Sequence, residues 1–443
     1  MTADTSATSN GAPPPGAASN SASRMPEIKV PGLLTLGGLA AGLALGLALA
    51  KTSLIAPLAA IAAPIGALWL QGLQMTILPL VAGMLFTGIV ETAAAASTGA
   101  IARGTLSWIV GTLALSSVVG ASVMTGLVAT FDPPRSFVQP AHSTVPQQVP
   151  GMADFFRTIV PTNVVSSAAN DAMLPVIIFV ALFALASTRL AEAPRRQLAL
   201  LFEGIAGAMM VVIGWVLWLA PIGVFALGLT LAANSGMQAI GALAQYIVLV
   251  ASCGLVMLLL AYPVAMVAGR KRLGAFASAV LPAQVVAIST QSSLASLPAM
   301  LAACRRLELR ATSAEFVLPL AVTLFRATSP AMNVGAAVFA AHIAGVHLSA
   351  GALAAGVVVA FITTFGSVSL PGTITYILNI APVAAAMGVP LWPLGILVAV
   401  EMLPDIMRTV GNVTMDTAIT AAIDRGVNEG EHDSEAARPE TVH

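Results

Sequence analysis

Ser289-Thr290-Gln291-Ser292-Ser293-Leu294-Ala295-Ser296-Leu297-Pro298 interrupts an otherwise apolar segment, residues 273–303. A second interruption, Gly366-Ser367-Val368-Ser369-Leu370-Pro371-Gly372, divides the apolar segment 349–390. Each break is followed by an intact stretch of helix length, at about 314–342 and 391–424. Irregular backbone survives at membrane depth only where protein buries it or where it lines a cavity. Two matched breaks are the pattern of re-entrant hairpins in an inverted repeat, with a solute site where the repeats meet.

Upstream of the first hairpin, apolar runs predict helices at about 32–50, 56–93, 104–130, 162–188, 198–231 and 239–268. Several approach or exceed the roughly 20 residues that a helix needs to cross a bilayer. The whole chain is 58% hydrophobic and 9% charged, whereas soluble domains carry about a quarter charged residues. That excludes an ordinary globular enzyme. A formal net charge of zero gives no electrostatic case for nucleic acid. Cys253 and Cys304 read as small apolar packing residues, not as a bridge or metal ligands. Residues 1–31 read as a disordered tail, with neither the basic start nor the early apolar core of a signal peptide. The polar segment 131–161 reads as an exposed loop. The expected fold is an all-α membrane protein with eight transmembrane helices and two re-entrant helical hairpins.

The basic residues test that topology. With a cytoplasmic N-terminus and hairpins that return to their side of entry, nearly all Lys and Arg outside the helices fall inside; only Lys51, Arg135 and Arg157 fall outside. Such a bias is the positive-inside rule. A single crossing by 273–303 would put Arg305, Arg306 and Arg310 outside and weaken it. Both termini are therefore expected in the cytoplasm.

The last apolar stretch carries Glu401, Asp405, Arg408, Asn412 and Asp416 at intervals of three or four residues. That spacing puts them on one helix face. Ionisable groups at membrane depth normally face the protein interior or a water-filled path. They could form a structural ion-pair ladder, or they could do chemistry. Arg408 has a planar fork that can grip a carboxylate through two parallel hydrogen bonds. Asp405 could accept from a substrate ammonium. Asn412 and Asp416 supply the oxygens a hard cation wants. Ser292 and Ser293, with the backbone at Val368, Ser369, Pro371 and Gly372, offer donors to an anion, although such serines also cap broken helices. A serine hydrolase built on Ser292 or Ser293 would need a base, and the five histidines lie in loops, tails or helix ends.

These residues resemble the dicarboxylate/amino acid:cation symporters, the family of glutamate and aspartate transporters. The likeness rests on STQSSLASLP (289–298), APIGVFAL (220–227), NVVSSAANDAMLPVIIFVALF (163–183), GSVSLPG (366–372) and, most specifically, DIMRTVGNVTMD (405–416). It covers nearly the whole apolar region. By that resemblance Asp405 binds the substrate amino group, Arg408 its side-chain carboxylate and Asn412 its backbone carboxylate. Thr409 and Ser329 join the substrate site. Asp416, Asn412 and Thr323 are sodium ligands. The resemblance also implies a homotrimer working as an elevator. Residues 32–268 would be mostly scaffold, with their third and sixth helices joining a transport core at 269–425, and 426–443 would be a cytoplasmic tail. The expected partners are a small anionic amino acid or dicarboxylate and membrane lipid, the coupling ion is sodium or a proton, and there is no organic cofactor.

Three positions depart from the family. Phe325-Arg326-Ala327-Thr328-Ser329 stands where members carry Asn-Met-Asp-Gly-Thr, so two oxygen ligands are missing and an arginine is present. Leu113-Ala114-Leu115-Ser116-Ser117 lacks the tyrosine many members carry before Thr-Ser. Gln291 stands where many bacterial members have arginine. Sodium coupling is therefore expected to be reduced or altered, with Arg326 as a tethered cation and Glu401 as a candidate proton carrier. The expected activity is secondary uptake of acidic amino acids or dicarboxylates across the cytoplasmic membrane. The alternative is a carboxylate carrier with proton coupling or none.

Overall fold

The computed structural model describes residues 32–96, 100–133, 160–170, 172–365 and 372–436, which form helices and, among themselves, no strand. Lipid cannot satisfy a backbone N–H or carbonyl, and a helix satisfies its own. Five described helices are long and apolar enough to cross a bilayer: Ile55–Ala96, Ile101–Phe131, Glu192–Trp218, Met237–Ala268 and Leu273–Thr290.

The first half packs on small residues. Gly32–Leu49 lies along Ala220–Ser235. A Cβ on Gly38 would stand 2.4 Å from the Pro221 carbonyl oxygen, and one on Gly42 would stand 2.3 Å from that of Phe225. Between apolar helices in lipid, close backbone approach replaces the hydrophobic drive available in water. Ile55–Ala96 packs on Glu192–Trp218, Ala220–Ser235 and Met173–Ser187. Trp69 donates its indole N–H to the Val216 carbonyl at 3.0 Å, and Phe86 stacks on Phe202.

The second half is built around the last helix, Met402–Ala436, which packs against Met237–Pro263, Leu273–Thr290, Ala311–Leu324 and Ala100–Phe131. The first hairpin is two helices, Leu273–Thr290 and Leu297–Arg306, lying against each other. Gln291 ends the first arm in the left-handed conformation, with φ 51°. The hairpin is tied at its base, where Lys271 Nζ donates to the Leu307 carbonyl at 2.7 Å. Just beyond it, Arg310 Nε donates to Asp424 Oδ1 at 3.1 Å. Higher up, Gln284 Nε2 donates to Thr414 Oγ1 at 2.9 Å. The arms of the second hairpin, Ala350–Thr364 and Gly372–Ala386, also pack together.

Four of the expected helices are divided. The stretch 314–342 is not intact: Ala311–Leu324 and Ser329–Ile343 are separated at residues 325–328, where Phe325 is extended. Pro330 opens the second piece; lacking an N–H and fixing its own φ, proline is suited to a helix start. The stretch 391–424 divides into Trp392–Leu397, a 3-10 turn Val398–Val400 and Met402–Ala436, so Glu401 sits at a junction. Pro404 cannot donate to the Val400 carbonyl, which weakens the α-helical ladder at that point. The stretch 198–231 divides at Leu219, ahead of Pro221. The stretch 162–188 divides after Val164–Ala169 and resumes at Met173.

Candidate functional site

The junction at Glu401 and the first turns of the last helix gather the buried charge. Glu401 is 0%, Arg408 2% and Asp405 7% exposed. Arg408 Nη2 donates to Glu401 Oε1 at 2.7 Å and Nη1 donates to Asp405 Oδ1 at 2.8 Å. The second oxygen of Glu401 accepts the hydroxyl of Tyr246, on Met237–Pro263, at 2.6 Å. Ions taken out of water are tolerated when their partners are close and hydrogen-bonded, and this triad meets that condition. The face expected from the spacing exists, and part of it is an ion-pair ladder. Arg408 keeps one buried donor, Nε, that reaches no acceptor among the described residues.

One turn on, Asn412 meets the broken helix. The backbone N–H of Thr328 donates to Asn412 Oδ1 at 2.9 Å. The Thr328 hydroxyl lies 2.8 Å from that same oxygen and 2.9 Å from the Arg408 carbonyl. The break at residues 325–328 thus frees an amide that the last helix satisfies. Thr409 uses its hydroxyl locally, donating to the Asp405 carbonyl at 3.0 Å.

Asp416 is fully buried, and neither of its carboxylate oxygens accepts a hydrogen bond among the described residues. The hydroxyl of Ser329 and the amide of Asn333 are buried in the same condition. Buried polar atoms are nearly always partnered, and these three residues lie on Ser329–Ile343 and the last helix. Arg326, half-buried in the break, lies within electrostatic reach of Asp405, Arg408 and Asp416.

The other expected residues sit as follows. Ser292 and Ser293 are half-buried at the first hairpin's tip. Ser292 Oγ accepts the Ala295 N–H at 3.2 Å, so it caps the turn while keeping its own hydrogen to donate. Val368, Ser369 and Pro371 lie outside the described residues, and Gly372 begins the second arm. Thr323 is exposed and donates to the Pro319 carbonyl at 2.8 Å. Cys253 and Cys304 are free and buried. The ring of His342 faces the Pro133 carbonyl at 3.0 Å and Asp132 Oδ1 at 3.2 Å. No group of three or more His, Cys, Asp or Glu among the described residues could hold a metal. Hydroxyl, amide and carboxylate oxygens suit a hard cation carried as cargo.

Tyr246, Thr328 and Asn333 were missed by sequence reading. A signal for the first existed: the chain has only three tyrosines, and a buried phenol needs a partner.

Residues 32–426 match the model of the sodium:dicarboxylate symporter family. The proton/glutamate-aspartate symporter of Escherichia coli (strain K12) is 28% identical over 360 residues, covering 79% of this chain and 82% of that protein. The proton/sodium-glutamate symport protein of Bacillus subtilis (strain 168) is 26% identical over 358 residues, with the same coverage of 79% and 82%. The neutral amino acid transporter A of Homo sapiens is 26% identical over 451 residues, covering 90% of this chain and 82% of that protein.

Proposed function

Because the chain belongs to the sodium:dicarboxylate symporter family, we propose that it is a secondary transporter that takes up a small acidic amino acid or dicarboxylate across the cytoplasmic membrane, driven by a cation gradient. The observation that carries this reading is Arg408: a guanidinium 2% exposed inside an apolar protein, with one donor still without an acceptor among the described residues. Its planar fork is matched to a carboxylate. Asp405, paired to Arg408 through Oδ1, offers its second oxygen to the substrate ammonium. Asn412, Thr409 and Ser329 line the same path, and the hairpin tips, through Ser292, Ser293 and the backbone at Val368, Ser369, Pro371 and Gly372, close over it. Asp416 and Asn412 supply oxygens to a sodium ion, and Thr323, whose hydroxyl donates to Pro319 and keeps its lone pairs, is the third ligand of the proposed set. The membrane topology is eight crossings with two re-entrant hairpins and both termini inside, in a homotrimer with an elevator motion.

A second reading concerns coupling and is favoured by Arg326. Its guanidinium stands within reach of Asp405 and Asp416 and acts as a fixed cation where relatives recruit an ion, so fewer sodium ions are coupled per cycle. The test is a binding screen on the purified protein with aspartate, glutamate, malate, succinate and neutral amino acids, each with and without sodium, followed by uptake in proteoliposomes. Binding of an acidic solute, weakly dependent on sodium in the wild type and lost in Arg326→Met, is the expected result. Binding of neutral solutes alone would overturn the substrate assignment, and a steep, multi-ion sodium dependence in the wild type would overturn the role of Arg326.

A further inference from the structure

We propose that Glu401 is the proton-binding group of the transport cycle, and that its protonation releases Arg408 to take the solute's carboxylate. This rests on the reading that Arg408 binds that carboxylate.

The guanidinium is already engaged. Nη2 points at Glu401 Oε1 and Nη1 at Asp405 Oδ1, at 2.7 and 2.8 Å. A carboxylate arriving at this fork must displace one of two carboxylates, and the displaced one would be left buried and unpaired. That penalty is large for an ion and small for a neutral acid.

The hydrogen bonds of Glu401 decide where a proton goes. Oε2 receives the Tyr246 hydrogen at 2.6 Å. The open position for a proton is Oε1, the oxygen that Arg408 uses. Once Oε1 carries hydrogen, two donors face each other and the Arg408 contact is lost, while Tyr246 still has the carbonyl oxygen to donate to. The proton comes from water on the side where the solute enters and returns to water on the side where it leaves.

The surrounding charges point the same way. Asp405 and Arg408 face Glu401 from the last helix, Tyr246 from Met237–Pro263 and Tyr376 from the second hairpin. Gly32–Leu49 and Trp392–Leu397, which flank the junction, contain no titratable residue. Further along, Arg326 and Asp416 complete the buried set. Two guanidiniums against three carboxylates leave one uncompensated negative charge before any solute arrives. An acidic solute adds another, and a proton on Glu401 removes one. Anion binding and proton binding are then positively linked, and linkage is reciprocal.

The experiment uses the purified full chain with L-aspartate, or with succinate where that is the solute bound. Proton uptake on binding is followed with an indicator dye in weak buffer, and affinity is measured across pH. The expected result is uptake of about one proton per solute in alkaline buffer, with affinity falling about tenfold per pH unit there. Glu401→Gln takes up none and binds with flat pH dependence. Where Glu401→Gln does not fold, Tyr246→Phe serves: losing a donor to the charged carboxylate moves the profile to higher pH. Flat affinity with no proton uptake in the wild type, a wild-type slope in Glu401→Gln, or an unmoved profile in Tyr246→Phe each overturns the proposal. Absence of any acidic-solute binding at any pH overturns instead the reading of Arg408 beneath it.

Discussion

Thr328 donates its backbone N–H to the side-chain oxygen of Asn412 at 2.9 Å, and its hydroxyl lies 2.8 Å from the same atom. A helix broken inside the membrane leaves amides that lipid cannot satisfy, and one residue of the last helix meets that need. Replacing Asn412 by Leu strands the amide and removes one of the hydroxyl's two acceptors, leaving the Arg408 carbonyl. An unsatisfied buried group costs about 1–3 kcal/mol. Asn412→Leu should lower stability by about that amount, and Thr328→Val, which keeps the N–H bond, by about 1 kcal/mol. Denaturant unfolding in detergent compares the two.

Arg408→Ala should abolish binding of acidic solutes. It should also destabilise the protein by about 3–5 kcal/mol, because Glu401 and Asp405 lose a buried partner. Size-exclusion chromatography separates loss of fold from loss of binding. Arg408→Lys should restore the charge without restoring full affinity, since an ammonium lacks the planar fork. Wild-type acidic-solute affinity in Arg408→Ala would remove Arg408 from the site.

Asp405→Asn should weaken aspartate or glutamate far more than succinate. A carboxylate matters to a ligand that brings an ammonium and repels one that does not. Isothermal titration with the three ligands measures the difference. Equal losses would make Asp405 a structural partner of Arg408 and nothing more.

Packing in the first half gives a prediction with an internal control. A Cβ on Gly42 would stand 2.3 Å from the Phe225 carbonyl oxygen, while one on Gly37 would meet nothing within 4 Å. Gly42→Ala must push two helices apart and should lower the thermal midpoint in detergent by several degrees, with overpacking of about 1–3 kcal/mol. Gly37→Ala should leave it unchanged or raise it slightly, since alanine is the better helix former.

Part of this molecule is written locally in the chain. The polar face from Asp405 to Asp416 follows from intervals of three and four residues, and the first hairpin follows from one serine-rich break. The break at residues 325–328 was harder to read. Alanine and phenylalanine there suit a helix, and the cue was Pro330 a few residues on. The pairing of Arg408 was ambiguous for another reason: Glu401 lies two turns away, so spacing allowed both a ladder and a substrate grip, and only the positions of the side chains show the ladder formed. Tyr246 was out of reach altogether, because its partner lies 155 residues away in sequence and no periodicity records a contact across helices.

The ties on the first hairpin have a kinetic meaning. Lys271 holds the Leu307 carbonyl, Gln284 holds Thr414 and Arg310 beside it holds Asp424. A hairpin anchored at base and flank has given up most of its conformational freedom before any solute arrives. Ordering its arms adds little to the entropy lost on binding, and association does not wait for them to fold. What the first hairpin contributes to capture is then a preformed wall, beside which Arg408 changes partners by an exchange of hydrogen bonds.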